Sequence, residues 1–153
     1  MKLIAVMTLI FPFLFNLSIS AQEMDIAYLR VNYEKAVSDK DTCQRLLAKL
    51  SENTPTASHL AYLGAFQTIW AKHSNNPITK LTSFNRGKKN IENAIKLAPD
   101  SIEIRFIRLS IQKKAPGFLG YKNNIEEDTK FIKTNREKIT SEVLKQMIDS
   151  LLN

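Results

Sequence analysis

Ser101-Ile102-Glu103-Ile104-Arg105-Phe106-Ile107-Arg108-Leu109-Ser110-Ile111-Gln112-Lys113-Lys114 decides how the rest of the chain is read. Asp100 or Ser101 is placed to cap a helix here, because a short polar side chain can accept from the free N–H groups of a first turn. Ile102, Ile104, Phe106, Ile107, Leu109 and Ile111 surround most of the helical circumference, and a helix that is apolar nearly all round belongs at the centre of a core. Lys113 and Lys114 end it with positive charge at its negative pole. Such a helix needs others packed around it.

The flanking sequence supplies them. Upstream, Leu81, Phe84, Lys88, Ile91, Ile95 and Ala98 recur every three or four residues until Pro99 stops the pattern. Before them Ser74-Asn75-Asn76-Pro77 reads as a long loop, and Leu60, Leu63, Phe66, Gln67 and Trp70 stripe a helix that ends near His73 and begins at Thr56 or Ser58, after Asn53-Thr54-Pro55. Cys43, Leu46, Leu47 and Leu50 mark a helix capped by Asp39 or Asp41, and Ile26, Leu29, Tyr33 and Val37 mark the first. Downstream, Asn123 or Asn124 opens a helix with Ile125, Thr129, Phe131 and Ile132. A last one, from about Thr140 to Leu152, carries Val143, Leu144, Met147, Ile148 and Leu151. No segment keeps a two-residue alternation bounded by turns. The expected fold is all-α: about seven helices, packed as antiparallel hairpins in a single domain over residues 22–153.

Residues 1–22, MKLIAVMTLIFPFLFNLSISAQ, follow the three-part pattern of a secretory signal: Lys2, an apolar run from Leu3 to Phe15, then small residues. That run is well short of the roughly 20 residues a spanning helix needs and contains Pro12. Cleavage is expected after Ser20 or Ala21, making 1–21 a signal peptide and the product periplasmic or secreted, with no membrane span once it is removed. No cysteine stands at the boundary to carry a lipid. Cys43, the only cysteine, has no partner for an internal disulfide, so the core alone must hold an exported domain together. The formal charge of the 153-residue chain is +7, mostly from lysine, and is read as solvation of the surface before attraction to an anionic partner.

Two stretches carry a family likeness. Ala94-Ile95-Lys96-Leu97-Ala98-Pro99-Asp100 resembles the close of a tetratricopeptide repeat, in which a small residue packs between helices and a proline five positions later ends the second. Gly87 and Ile91 fall where that family has a small and a large residue, and Leu60-x-x-Leu63-Gly64 resembles its first-helix signature. The separation of Pro55 from Pro99 exceeds the family's period of roughly 34 residues, which is assigned to the loop around Asn75-Asn76-Pro77. The whole chain also resembles small exported proteins of Bacteroidetes, whose signals often end in Ala-Gln, as at Ala21-Gln22. These resemblances imply a short tetratricopeptide-like α-solenoid in the cell envelope and supply no enzymatic activity.

Candidate chemistry is sparse. His59 and His73 are fourteen positions apart on one expected helix, about 21 Å at 1.5 Å per residue, too far to share a metal or a proton. Glu126-Glu127-Asp128 sit in a first turn, where negative charge suits the helix pole. Cys43 has acidic neighbours and no activating base. No phosphate loop, zinc spacing or nucleic-acid motif is present, and no cofactor, metal site or catalytic residue is expected. Arg105 and Arg108, one turn apart on the most apolar helix, require partners: Glu103 or the 126–128 carboxylates first, a ligand anion second. Between them and the next helix lies Lys113-Lys114-Ala115-Pro116-Gly117-Phe118-Leu119-Gly120-Tyr121-Lys122. Its first reading is a hydrophobic plug, with Phe118 and Leu119 folded onto the core and Gly120 in an unusual backbone angle. Its second is a binding lip in which Phe118 and Tyr121 make the contacts, backed by Arg105 and Arg108. The expected function is a non-enzymatic helical-repeat module that binds an envelope protein or peptide. The alternative is a small hydrolase or a binder of an anionic ligand, working through residues 105–121.

Overall fold

The computed structural model describes residues 24–153; the signal peptide expected over 1–21 lies outside them. Seven α-helices follow in order: α1 (Ile26–Ser38), α2 (Lys40–Glu52), α3 (Ala57–His73), α4 (Pro77–Leu97), α5 (Ile102–Lys114), α6 (Ile125–Thr134) and α7 (Glu142–Leu152). Two 3₁₀ turns, Gly117–Leu119 and Arg136–Lys138, precede α6 and α7. The described residues contain no strand, and the domain is all-α.

The caps explain most boundaries. Asp39 ends α1 and opens α2, its carboxylate accepting from the Asp41 N–H at 3.1 Å. Thr56 caps α3, Ser101 caps α5 and Ser141 caps α7, each accepting from the N–H three residues on. Asn76 accepts from both Ile78 and Thr79 with Pro77 at the first helical position, where a missing N–H costs nothing. Asn124 precedes α6 without a side-chain cap and is held instead by Gln112 on α5. Its backbone N–H donates to the Gln112 side-chain oxygen at 3.2 Å, and its own side-chain oxygen accepts from Gln112 Nε2 at 3.3 Å.

Two helices form the centre. α5 buries Ile104, Phe106, Ile107, Leu109 and Ile111, as its all-round apolar pattern requires. α3 is buried more widely than its expected stripe, because Ala61, Gly64 and Ala65 bring neighbouring backbones close on a second side. α3 and α4 run antiparallel, with Gly64 against Ile91 and Thr68 against Gly87, Gly64 facing Gly87 between them and Gln67 bonded to Asn90. A Cβ on Gly64 would lie 2.6 Å from the Gly87 carbonyl oxygen, and one on Gly87 would meet the Gly64 carbonyl in turn. The two backbones touch where both residues lack a side chain.

Several expectations are corrected. Residues 74–76 are a short connection and not a long loop; the extra length between Pro55 and Pro99 is helical, in the 17 residues of α3 and the 21 of α4. Asn76 and Pro77 begin α4 at once, which keeps the link tight. Leu81, expected on the core stripe of α4, is 52% exposed, because α4 extends beyond the elements that cover its middle. The plug reading fails for Phe118, which is 87% exposed, although Leu119 packs partly against the core. The 3₁₀ turn points the two neighbours in different directions, while Gly120, at φ +60°, reverses the chain so that Tyr121 enters the core in place of Phe118. Val143 in α7 is also at the surface.

Candidate functional site

The four candidate residues separate into two places. Arg105, Arg108 and Tyr121 belong to a polar network between α4, α5 and α6, whereas Phe118 stands at the edge of an apolar cleft.

In the network, Asp128 is fully buried and Arg108 is 4% exposed. Arg108 Nε and Nη2 donate to the two oxygens of Asp128 at 2.7 Å each, the fork geometry that makes arginine–carboxylate pairs strong, and Nη1 reaches Glu92 at 3.3 Å. Arg105 Nη1 donates to Glu127 at 2.8 Å and Asp128 at 2.9 Å, its Nε donates to the Pro99 carbonyl, and its guanidinium lies 4.3 Å from the centre of the Phe131 ring. The Tyr121 hydroxyl donates to Glu92 at 2.6 Å. Burial opposes the charge on Arg108, but Asp128 and Glu92 outweigh it and raise the pKa. The Arg105 hydrogen bond holds Glu127 below the usual carboxylate range.

Two guanidiniums therefore face three carboxylates. The Lys88 ammonium also lies 5.0 Å from the centre of the Tyr121 ring, so the charges are close to balance and both guanidiniums are already engaged; the geometry is that of ion pairing across α5 and α6. Glu92 was not legible as a member, because α4 shows it only as one polar residue in a long amphipathic pattern. Glu103, offered as a partner, turns the other way: Arg30 grips both its oxygens at 2.7 Å, and Tyr62 donates to it at 2.8 Å.

The histidines and the cysteine serve the fold. His59 Nε2 lies 2.7 Å from the Met24 carbonyl oxygen and His73 Nε2 lies 2.8 Å from that of Ala36, so each ties α3 to the α1 segment. Cys43 is buried with Sγ 3.5 Å from the Phe66 carbonyl, and burial pushes its thiol up to about 12, which keeps it protonated and unreactive. Among the described residues, no group of three or more His, Cys, Asp or Glu side chains is placed to hold a metal ion.

The cleft has a volume of about 720 Å³ and is framed by α1, α3, α4, the end of α5 and the 3₁₀ turn Gly117–Leu119. Its floor includes Tyr33, Ile69, Phe84, Ile111 and Ala115, all buried. Leu81, on α4, and Phe118, in the 3₁₀ turn, both border it and are both well exposed. Lys72 comes from α3, Lys80 from α4 and Lys114 from the end of α5, and no aspartate or glutamate lines it. The two hydroxyls in the lining, those of Thr68 and Tyr33, donate to the protein itself. Thr68 Oγ1 donates to the Ala65 carbonyl at 2.7 Å; Ser110 Oγ donates to Ile107, which leaves the Tyr33 hydroxyl as donor to Ser110, also at 2.7 Å.

No family model, curated protein or solved structure matches the chain. The site is therefore read from its own chemistry. No described helix is long and apolar enough to cross a membrane.

Proposed function

We propose that the protein is an exported, non-enzymatic binding module that shelters the apolar part of a partner molecule in the cleft between α3, α4 and the 117–119 turn. The observation that carries this reading is the pairing of a buried apolar floor with two large exposed apolar side chains, Leu81 and Phe118, bordering the same cleft. Leaving both in water is unfavourable, and an apolar guest covers them. The volume falls in the roughly 300–1,000 Å³ range of small-ligand sites. The likeness of Leu60-x-x-Leu63-Gly64, Gly87 and Ala94–Pro99 to a tetratricopeptide hairpin supports a helical-repeat scaffold, and the close Gly64–Gly87 approach is in keeping with it. An envelope protein or peptide meets the cleft with apolar side chains from a segment whose own backbone is already hydrogen-bonded, since the hydroxyls of the buried floor are engaged and offer no donor to a peptide carbonyl.

The hydrolase and arginine-clamp alternative draws no support from the geometry, because Arg105 and Arg108 are already engaged by Glu92, Glu127 and Asp128. A neutral, environment-sensitive dye such as N-phenyl-1-naphthylamine tests the binding reading. It should bind the purified protein at one site with enhanced fluorescence, and Leu81→Asp should abolish binding while leaving helicity intact. Absence of binding by the unsubstituted protein overturns the reading. Export is tested separately by the intact mass of protein recovered outside the cytoplasm, which should lack residues 1–20 or 1–21.

A further inference from the structure

We infer that the preferred occupant of the cleft is a single-chain fatty carboxylate, with its hydrocarbon tail on the Ile69–Phe84–Ile111 floor and its carboxylate among Lys72, Lys80 and Lys114. The inference rests on the cleft being the binding surface and goes further by naming the ligand.

Three observations lead to it. The first is charge: three ammonium groups and no carboxylate belong to the lining, and no ion pair within the described residues involves any of the three. Lys72 Nζ makes one long bond, 3.4 Å, to the Val37 carbonyl. Lys114 shares the lining of a neighbouring depression with an acid, Glu34. An anionic head is therefore attracted and a cationic one repelled.

The second observation is the floor. Its hydroxyls donate to Ala65 and Ser110, so it has no free donor with which to satisfy a polar group brought inside. A hydrocarbon chain has no such group, whereas an extended peptide would bring its backbone carbonyls onto a floor with no donor for them. The third is the arrangement of the lysines. All three are exposed to water, whereas Ile69, Phe84 and Ile111 of the same lining are buried. This puts charge at one end and hydrocarbon at the other, as a fatty acid is built. Lysine suits the task because its flexible ammonium can follow a headgroup without a fixed fork geometry.

Displacement of the bound neutral dye by decanoate and by decanol, which share a chain and differ in the head, tests this. Decanoate should displace the dye at a concentration roughly tenfold lower than decanol, in keeping with two or three solvent-exposed ion pairs, and its advantage should shrink as salt is raised. Lys80→Glu/Lys114→Gln should remove that preference while the dye still binds. A glutamate at position 80 falls near the positive pole of α4, so this variant keeps its fold. If decanol and decanoate compete equally, or the double substitution leaves the preference unchanged, the ligand assignment is overturned and the apolar cleft stands. An acidic amphipathic peptide that displaces the dye where decanoate does not also overturns it. Failure of the dye itself to bind removes the cleft reading, and this inference with it.

Discussion

Phe118 and Tyr121, three residues apart, have opposite fates because of the backbone between them. Gly120 adopts the left-handed conformation with open space around its Cα, so a side chain there meets a backbone penalty and no steric clash. Gly120→Ala should lower stability by about 1 kcal/mol, the order of cost for forcing an L-residue into that region. Phe118→Ala should change stability by no more than about 0.5 kcal/mol, as exposed positions do, and should weaken dye binding instead. Urea unfolding followed by circular dichroism, beside a dye titration, checks both. A large loss of stability in Phe118→Ala would restore the plug. Tyr121 is the residue of this loop that acts as an anchor: its ring meets Phe84 edge-on at 6.1 Å and its hydroxyl is held by Glu92.

Among the helices, α3 and α4 come backbone to backbone at one place. Gly64 and Gly87 face each other so closely that a methyl group on either meets the opposite carbonyl, and backbone cannot yield as the end of a flexible side chain can. Gly64→Ala should therefore destabilise the protein by about 1–3 kcal/mol through overpacking, despite alanine's higher helix propensity, worth about 1 kcal/mol in the opposite direction. Thermal unfolding measures the balance; a Gly64→Ala variant more stable than the parent would show that the helices can separate at little cost. The same hairpin supplies Ile69, Lys72, Lys80, Leu81 and Phe84 to the cleft. A small shift of α4 relative to α3 would alter its width, so loosened packing at residues 64 and 87 should also weaken dye binding.

Across the domain, buried polar groups make the helices specific for one another. Arg108→Ala removes the fork that holds Asp128 and leaves that carboxylate with Arg105 alone. The expected loss is about 3–5 kcal/mol, the range for breaking a buried pair by removing one partner. Arg108→Met combined with Asp128→Leu should cost much less, since no charge is then stranded; chemical unfolding of the single and double variants provides the comparison. A second global effect comes from alkali. Burial pushes Tyr33 and Cys43 up to about 12, and raises Tyr62 and Tyr121 as well. These groups are raised in the folded state and unfolded chains ionise at ordinary thiol and phenol values. Their contribution to stability is therefore complete below those values and declines as pH rises toward about 12. Tyrosinate absorbance from Tyr33, Tyr62 and Tyr121 should appear together with loss of helical signal, and ionisation of these three in a fully helical protein would contradict the burial.

The seven helices, most of their caps, the buried character of α5 and the unusual angle at Gly120 are legible in the residues alone, because each depends on positions close together in the chain. Periodicity, an oxygen three residues before an N–H, and a residue without a Cβ are local physics. The partners were legible in part: Arg105 and Arg108 on so apolar a helix had to meet acids, and Glu127 and Asp128 were among those available. That Glu92 joins them while Glu103 leaves for Arg30 was set by packing across separations of 16 and 73 residues, where many pairings satisfy the same charge count. The cleft arises from long-range packing alone. Periodicity marks which side of a helix is apolar and says nothing about whether another element will cover it. Leu81 carried the same sequence pattern as the buried Phe84, yet lies exposed at the mouth, because burial is set by where neighbouring helices end and not by the residue that awaits them.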